Sequence, residues 1–410
     1  MSQSGNRPVL LTLFAIVLVD ICGYTIVLPL LPFYAEHFHA TPFQVGSIIS
    51  LFALAQMISG PILGRLSDRY GRRPILIVSQ VGTLVSFIIL AQARTLWMVF
   101  FARAVDGLTA GNLTVAQAYV ADVTTREQRT KAMGLIGAAF GIGFVLGPSL
   151  CAFFSGLSVQ APIWAASVLS LGAIIGSVFL LRDSKHHLAQ DDQPLHGSPK
   201  PSLPVIFADP MLRWPLISFF FFCLMFSMAI SGLALFSERV LVWDHHPFGQ
   251  REVGWVFTIG GMVGLIIQSS LIGPSVRKGG ERAVAALAFI SVTLGFILIG
   301  SSPVIWIFLL GYVLVQGGSS FIRPTINGLI SKNAPRGAQG YMFGITQTLM
   351  AMTQIVAPLI SGALIENQLY SIWAWLSGVI GLIGLAAILA LPKRSAQAPT
   401  NLMSELKHNA

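Results

Sequence analysis

Gly64-Arg65-Leu66-Ser67-Asp68-Arg69-Tyr70-Gly71-Arg72-Arg73 is a densely charged decapeptide with an apolar run on each side, at 43–64 and 75–93. Runs of this kind, about 20 mostly apolar residues long, are the length of a membrane-crossing helix. Working outward, comparable runs recur at 9–33, 96–121, 131–156, 161–181, 212–237, 253–273, 283–300, 303–330, 340–365 and 371–391. Only 41 of the 410 residues are charged and 54% are hydrophobic, whereas a soluble domain carries about 25% charged residues. The composition excludes a disordered chain, a disulfide scaffold and an ordinary cytosolic enzyme. It predicts an all-α polytopic membrane protein of twelve helices in two pseudo-symmetric six-helix bundles. The first run is too long for the apolar core of a signal peptide and lacks a small-residue cleavage site, so it is expected to stay as the first span.

The basic residues fix the expected orientation. Of the 25 Lys and Arg, 20 lie in the tails and in one alternate set of loops. The other side has Arg94, Arg239 and Arg251, and Arg103 and Arg323 fall within spans. By the positive-inside rule both termini are cytoplasmic, in a cell membrane expected to be a bacterial inner membrane. The net charge of +9 is therefore topology, and no nucleic-acid partner is expected. The polar stretch after Arg182 has no apolar period and reads as a linker. The predicted organisation is a bundle over 1–182, a cytoplasmic linker over 183–210, a bundle over 211–392 and a cytoplasmic tail over 393–410.

The two halves echo each other. Gly64, Gly71 and Arg73 match Gly273, Gly280 and Arg282 at an offset of 209, while Gly107, Arg126, Gly134 and Pro148 match Gly317, Arg336, Gly344 and Pro358 at 210. A near-constant offset across several spans indicates two related bundles that face each other.

Ionisable groups inside a span are costly and usually face a cavity or a partner. The candidates are Asp20 in span 1, Arg103 and Asp106 in span 4 and Arg323 in span 10, with Asn112 and Asn327 as further polar groups. Spans 3, 6, 9 and 12 hold none, so spans 1, 4, 7 and 10 are expected to line a central polar cavity while the others face lipid. Read as a continuous helix, span 4 places Asp106 and Gln117 on one face. Arg103 lies one turn from Asp106; the two are read as part of the proton-coupling set, with a structural pair that neutralises itself in the bundle as the alternative. Gln347 and the aromatic residues Phe226 and Phe236 are further expected cavity residues, with Trp255 and Phe321 as aromatic candidates of the same kind. Cys22, Cys151 and Cys223 all sit in apolar runs, and the loop histidine pairs have no third ligand at metal spacing, so neither a metal nor a cofactor is expected. No phosphate-binding Gly-Lys motif occurs, so ATP is not the expected energy source.

The decapeptide Gly64 to Arg73 resembles the signature loop between spans 2 and 3 of the major facilitator superfamily. Arg103 with Gly107 resembles the family's second motif, and Gly143-Phe144-Val145-Leu146-Gly147-Pro148 the motif associated with antiporters. Asp20-Ile21-Cys22-Gly23 with Pro29 and Pro32 resembles the twelve-span drug:proton antiporters, the tetracycline efflux proteins above all. The chain departs from those pumps at Ser86, where they carry an acid in span 3, and at Gly264, where they carry a histidine in span 8. In the second copy of the loop, Arg277 stands at the position of Asp68.

The resemblance implies alternating access about a midplane site. It implies a gating loop of Gly64, Asp68, Arg69, Gly71, Arg72 and Arg73 that latches span 2 to span 11 and to the region of Asp122 when the protein faces outward. An isolated carboxyl such as Asp20 can hold a proton when closed from water and lose it when opened to the cytoplasm; Asp20, Arg103 and Asp106 are the expected proton-coupling set. The expected function is proton-driven export of a small amphipathic organic compound by a monomer in the lipid bilayer, without enzymatic chemistry. The alternatives are a proton-coupled uptake symporter for a metabolite or siderophore, and a transport-dead membrane sensor.

Overall fold

The computed structural model describes residues 7–124, 126–181, 203–335 and 338–392. The expected tail over 393–410 and the expected linker as far as residue 202 lie outside the described residues. The chain is helical almost throughout: α1 Arg7–Glu36, α2 Pro42–Tyr70, α3 Arg72–Ala91, α4 Leu96–Thr109, α5 Asn112–Val123, α6 Arg126–Phe154 and α7 Ala161–Leu180 form the first half. A short α8 Leu203–Ala208 precedes α9 Pro210–Val240, α10 Gln250–Ile266, α11 Ile272–Ser301, α12 Ile305–Asn333, α13 Gln339–Glu366 and α14 Tyr370–Leu389. The stretch expected to be wholly linker thus ends in a helix, because Ile206 in α8 finds an apolar site and is buried.

Ten helices among the described residues are long and apolar enough to cross a membrane. One of them spans 52 residues, Gln250–Ser301, but Gly280 turns the chain inside it with φ 74° and ψ 159°, so it comprises two crossings. Between its parts α10 and α11 lies a π-helical turn, Ile267–Leu271. Helices α4 and α5, 14 and 12 residues long, are each too short to span hydrocarbon and make one crossing together. The architecture is thus consistent with twelve crossings in two six-helix bundles.

Local sequence sets the ends of these helices. Thr41 caps α2 by accepting from the Gln44 amide at 3.3 Å while the Gln44 side chain accepts from the Thr41 amide at 2.9 Å, and Pro42 occupies the first turn, where its missing N–H costs nothing. Asp209 caps α9 through the Met211 amide at 2.8 Å. Gly71 separates α2 from α3 with φ 98° and ψ 153°, a region essentially restricted to glycine. Gly280, its partner in the repeat, adopts nearly the same conformation. The repeat extends to side chains: Arg73 donates to the Val178 carbonyl at the end of α7, and Arg282 to the Leu389 carbonyl at the end of α14.

The halves are joined at one end. We call the end bearing Gly64 to Arg73 the basic end. At the opposite end, the Phe43 amide donates to the Glu366 carboxylate at 3.0 Å and Ser50 Oγ to the Ile355 carbonyl at 2.6 Å, tying α2 to α13. Ser149 meets Thr258 at 3.2 Å, tying α6 to α10. Arg239 of α9 bridges to Glu36 of α1 at 2.5 Å and to its neighbour Glu238 at 3.1 Å. The absence of a side chain at Gly46 lets α2 close onto the Pro358 carbonyl of α13. Toward the basic end, by contrast, no heavy atom from another element among the described residues stands within 4 Å of where a Cβ would lie on Gly60, Gly134, Gly137, Gly340 or Gly344. The hydrophobic packing agrees. One large core mixes residues of both halves, including Ile26, Tyr34, Val45, Phe219 and Ala357, while a second, built around Leu13, Leu76, Val120 and Ile136, contains first-half residues alone. The molecule is closed at the opposite end and open between its halves at the basic end.

Large apolar side chains remain exposed along α3, α7, α11 and α14, among them Val81, Phe179, Leu287 and Val379. These are spans 3, 6, 9 and 12, and in a bilayer their bare faces meet lipid.

The backbone conformation at the two turns yields a test. Gly71→Ala and Gly280→Ala should each lower stability by about 1–3 kcal/mol, whereas at Gly64 a Cβ would stand 3.9 Å from Thr114, so Gly64→Ala should shift the unfolding midpoint little. Thermal unfolding of the three variants in detergent measures this, and equal shifts would contradict it.

Candidate functional site

The site is built on a break. Span 4 stops being helical at Ala110 and Gly111, with φ/ψ of −75°/55° and −98°/−8°. A break frees backbone groups that lipid cannot satisfy, so protein must. Ser79 of α3 does this with one hydroxyl: it donates to the Thr109 carbonyl and accepts from the Gly111 amide at 3.0 Å. Gly82 leaves room for the Thr109 side chain against α3, and Gly107 lets α4 close onto the Phe52 carbonyl of α2.

The break turns Asp106 and Asn112 toward the same place. In an unbroken helix, six residues apart, they would point about 120° away from each other. Here Asn112 hydrogen-bonds to the Asp20 carboxyl, and Asp106 is close enough to act on it electrostatically. Asp20 Oδ2 is screened from solvent and has no hydrogen-bond partner among the described residues. Asp106 pairs with Arg103, both nearly fully buried, and takes a further hydrogen bond from Thr83 of α3. The Arg103 guanidinium lies 5.2 Å from the centre of the Phe52 ring, and that ring packs on Tyr24 at 5.9 Å. Three of the expected residues thus form one cluster with Asn112.

The continuous helix on which the expectation of a shared face for Asp106 and Gln117 rested is interrupted by the break between them. Gln117 is half-buried on α5. Thr83, Tyr24 and Phe52 were not singled out in the sequence, although Thr83 is a polar residue in an apolar run and Tyr24 lies one turn beyond Asp20.

The glycine-rich stretch of α6 grips α1 just beyond Asp20. Thr25 Oγ1 donates to the Gly143 carbonyl at 2.9 Å, and a Cβ on Gly143 would stand 2.5 Å from Ile21. At Gly147, immediately before Pro148, a side chain would collide with Thr25. These glycines therefore set the distance between α6 and the part of α1 that carries the carboxyl.

At the basic end, Arg72 is the hub of the loop. It bridges to Asp68 at 2.5 Å and to Asp122 at 2.8 Å, and donates to Ser67 Oγ at 2.7 Å. The Asp68 side chain is 62% exposed, as expected where α2 and α13 are parted. Arg69 lies over the Tyr70 ring at 5.4 Å.

In the second half, Arg323 is exposed, with its charge acting on buried Cys223 of α9. Asn327 and Gln347 are half-buried, as is Phe226, which stacks on Phe222 at 5.7 Å. Phe236 corrects the expectation of a cavity residue. It is buried, with its ring 5.2 Å from Trp373 and 6.3 Å from Phe308, and belongs to the core of the second half. Its alternation with Gly232, which makes room for Trp373, places it on the inward face of the bundle.

The sequence matches the Major Facilitator Superfamily over residues 13–352 and again over 249–409. The chain belongs to the major facilitator superfamily. Within it, the chain is 30% identical over 394 residues to the class E tetracycline resistance protein of Escherichia coli, covering 94% of both chains. It is 26% identical over 408 residues to multidrug resistance protein 2 of Bacillus subtilis, covering 97% of this chain and 98% of that one. The crystal structure of the human organic anion transporter MFSD10 superposes with a TM-score of 0.68 at 22% identity, covering 94% of this chain and 99% of that one, and so shares its fold. The second family match begins in α10, in keeping with the internal repeat.

The buried Arg103–Asp106 pair of this major facilitator protein is open to a direct test. Removing one partner of a buried ion pair strands the other charge and typically costs about 3–5 kcal/mol. Arg103→Gln should therefore destabilise strongly, and Arg103→Gln with Asp106→Asn should recover part of the loss. Denaturant unfolding in detergent decides it; strictly additive single changes would show that the pair is not coupled.

Proposed function

We propose that the protein is a proton-coupled antiporter that exports small amphipathic organic compounds by alternating access. The observation that carries this reading is the Asp20 carboxyl, held in mid-span with one oxygen unpartnered. A structural carboxylate in such a place would be fully paired, as Asp106 is with Arg103. One that gains and loses a proton needs a neutral state that the low-dielectric surroundings accept and an ionised state that they tolerate briefly. Asn112 can donate to the ionised form, and Asp106 disfavours a second negative charge beside it.

The geometry supports a cycle. With the opposite end sealed through α2–α13 and α6–α10, Asp20 communicates with the basic end, where a proton can leave and a compound can enter. Rocking the halves seals the basic end, where Asp68 and Arg72 would then meet α13, and opens the other. The grip of Gly143 and Gly147 on α1 would carry that motion to the carboxyl. The resistance proteins related to this chain support export of drug-like compounds.

In this reading the basic end is cytoplasmic, both termini lie inside, and the protein works as a monomer in a bacterial inner membrane. The bundles span 1–182 and 211–392, with α8 closing the connection between them.

In proteoliposomes with an imposed pH gradient, Asp20→Asn should abolish accumulation of substrate against its gradient while leaving downhill exchange measurable. Accumulation at wild-type level by that variant would remove Asp20 from the coupling role. Asp68→Ala should slow turnover several-fold with little change in substrate binding; undiminished transport would remove the gating role of the loop.

A further inference from the structure

The charges within the spans do not balance between the halves. In the first half Arg103 is paired with Asp106, and Asp20 is hydrogen-bonded by Asn112. In the second half Arg323 makes no ion pair or hydrogen bond among the described residues. It stands ten residues from the end of α12 at Asn333, about 15 Å along the axis, which is farther than an arginine side chain reaches. Asp20 stands thirteen residues into α1, about 20 Å from the same end, so the two groups lie at similar depth. An unpaired guanidinium turned toward hydrocarbon at that depth would be costly, so the charge favours water or a polar partner. Its charge acts on Cys223 of α9, so the guanidinium lies on the side of α12 near α9, and in the transport reading spans 7 and 10 flank the cavity.

The surroundings have the character of a binding site. Gln316, Ser320, Arg323 and Asn327 recur at i, i+4, i+7 and i+11 and form one polar stripe on α12. Pro324, which has no N–H, leaves the Ser320 carbonyl without its helical donor, adding a free acceptor one turn from the guanidinium. Across from it on α9 is Cys223, and Phe226 lies within one turn of Cys223.

We infer that Arg323 is the anchor for a carboxylate on the transported compound, with the stripe on α12 and the ring of Phe226 receiving the polar and flat parts of an aromatic acid. The assignment rests on the transport reading above and narrows its substrate class from amphipathic compounds to organic acids and zwitterions. The guanidinium fork matches a carboxylate through two parallel hydrogen bonds, and a bound anion would neutralise a charge that has no ion-pair partner among the described residues.

The test uses rhodamine 110, which carries a free carboxylate, and rhodamine 123, its methyl ester, on the purified full chain in detergent, with binding read by fluorescence anisotropy. The wild type should bind rhodamine 110 at least tenfold more tightly than rhodamine 123. Arg323→Gln should erase that preference, mainly by weakening the acid, and Arg323→Lys should keep part of it. Equal binding of the two dyes by the wild type, no binding of either, or an unchanged preference in Arg323→Gln would overturn the assignment. If Arg323→Gln loses both dyes, Arg323→Lys decides: a retained preference upholds the anchor, and its absence overturns it. Proton-driven dye flux in proteoliposomes is read separately. Preference without flux overturns the transport reading and leaves the Arg323 site standing, and flux without preference does the reverse.

Discussion

In hydrocarbon no water is at hand to satisfy a freed backbone group, so every departure from helix must be repaired by the protein itself. The Ser79 hydroxyl carries out that repair at the break in span 4, taking the Gly111 amide and giving its proton to the Thr109 carbonyl. The rest of the site depends on it. With the break held open, Asp106 closes the last turn of α4 and Asn112 begins α5, and both reach the Asp20 carboxyl on α1. Were span 4 a continuous helix, the two would point about 120° apart and would not converge on one carboxyl. A serine in a lipid-facing span thereby determines the chemistry at the centre of the bundle.

The same reasoning explains what could be read from the sequence. Apolar run length and the distribution of Lys and Arg are set by the bilayer itself, so the spans and the two-bundle organisation were legible directly. The proximity of Arg103 to Asp106 followed from helical spacing within an intact stretch. The continuous helix read from Asp106 to Gln117 did not survive, because nothing in Ala110-Gly111 marks a break: glycine in a span is ordinary, and the break depends on Ser79, thirty residues away in sequence. Phe236 was misread for a related reason. An aromatic residue in span 7 has the same local signature whether it faces the cavity or the core, and only the packing against Phe308 and Trp373 separates the two.

The internal repeat is kept in backbone at its two glycine turns and incomplete in charge, and that difference is informative. Gly71 and Gly280 share a conformation that other residues avoid, and Arg73 and Arg282 dock on the ends of α7 and α14 in the same manner. These positions hold span 3 against span 6 and span 9 against span 12, a task each bundle has on its own. Asp68 has no counterpart, since Arg277 occupies its place. What one half needs to keep its shape has been retained twice, whereas the acidic latch, which acts between halves, is present once.

The two ends of the molecule also differ in kind. The opposite end is closed by backbone-to-backbone approach at Gly46, by hydrogen bonds to the Ile355 carbonyl and the Glu366 carboxylate and by apolar packing, with an ionic link from Arg239 to Glu36. The basic end keeps its ion pairs within each half, through Arg72, Asp68 and Asp122 in the first and Lys332 with Glu281 in the second. Close packing is lost steeply with separation, while charge pairs at a wet surface act over a longer range and are individually weak. A closure made of packing gives a tight seal that opens as a unit; a closure made of exposed charges can exchange partners as the helices part. Placing the packed seal on one side and the exchangeable charges on the other gives the two halves a hinge whose ends resist motion differently, and the carboxyl at Asp20 lies between them.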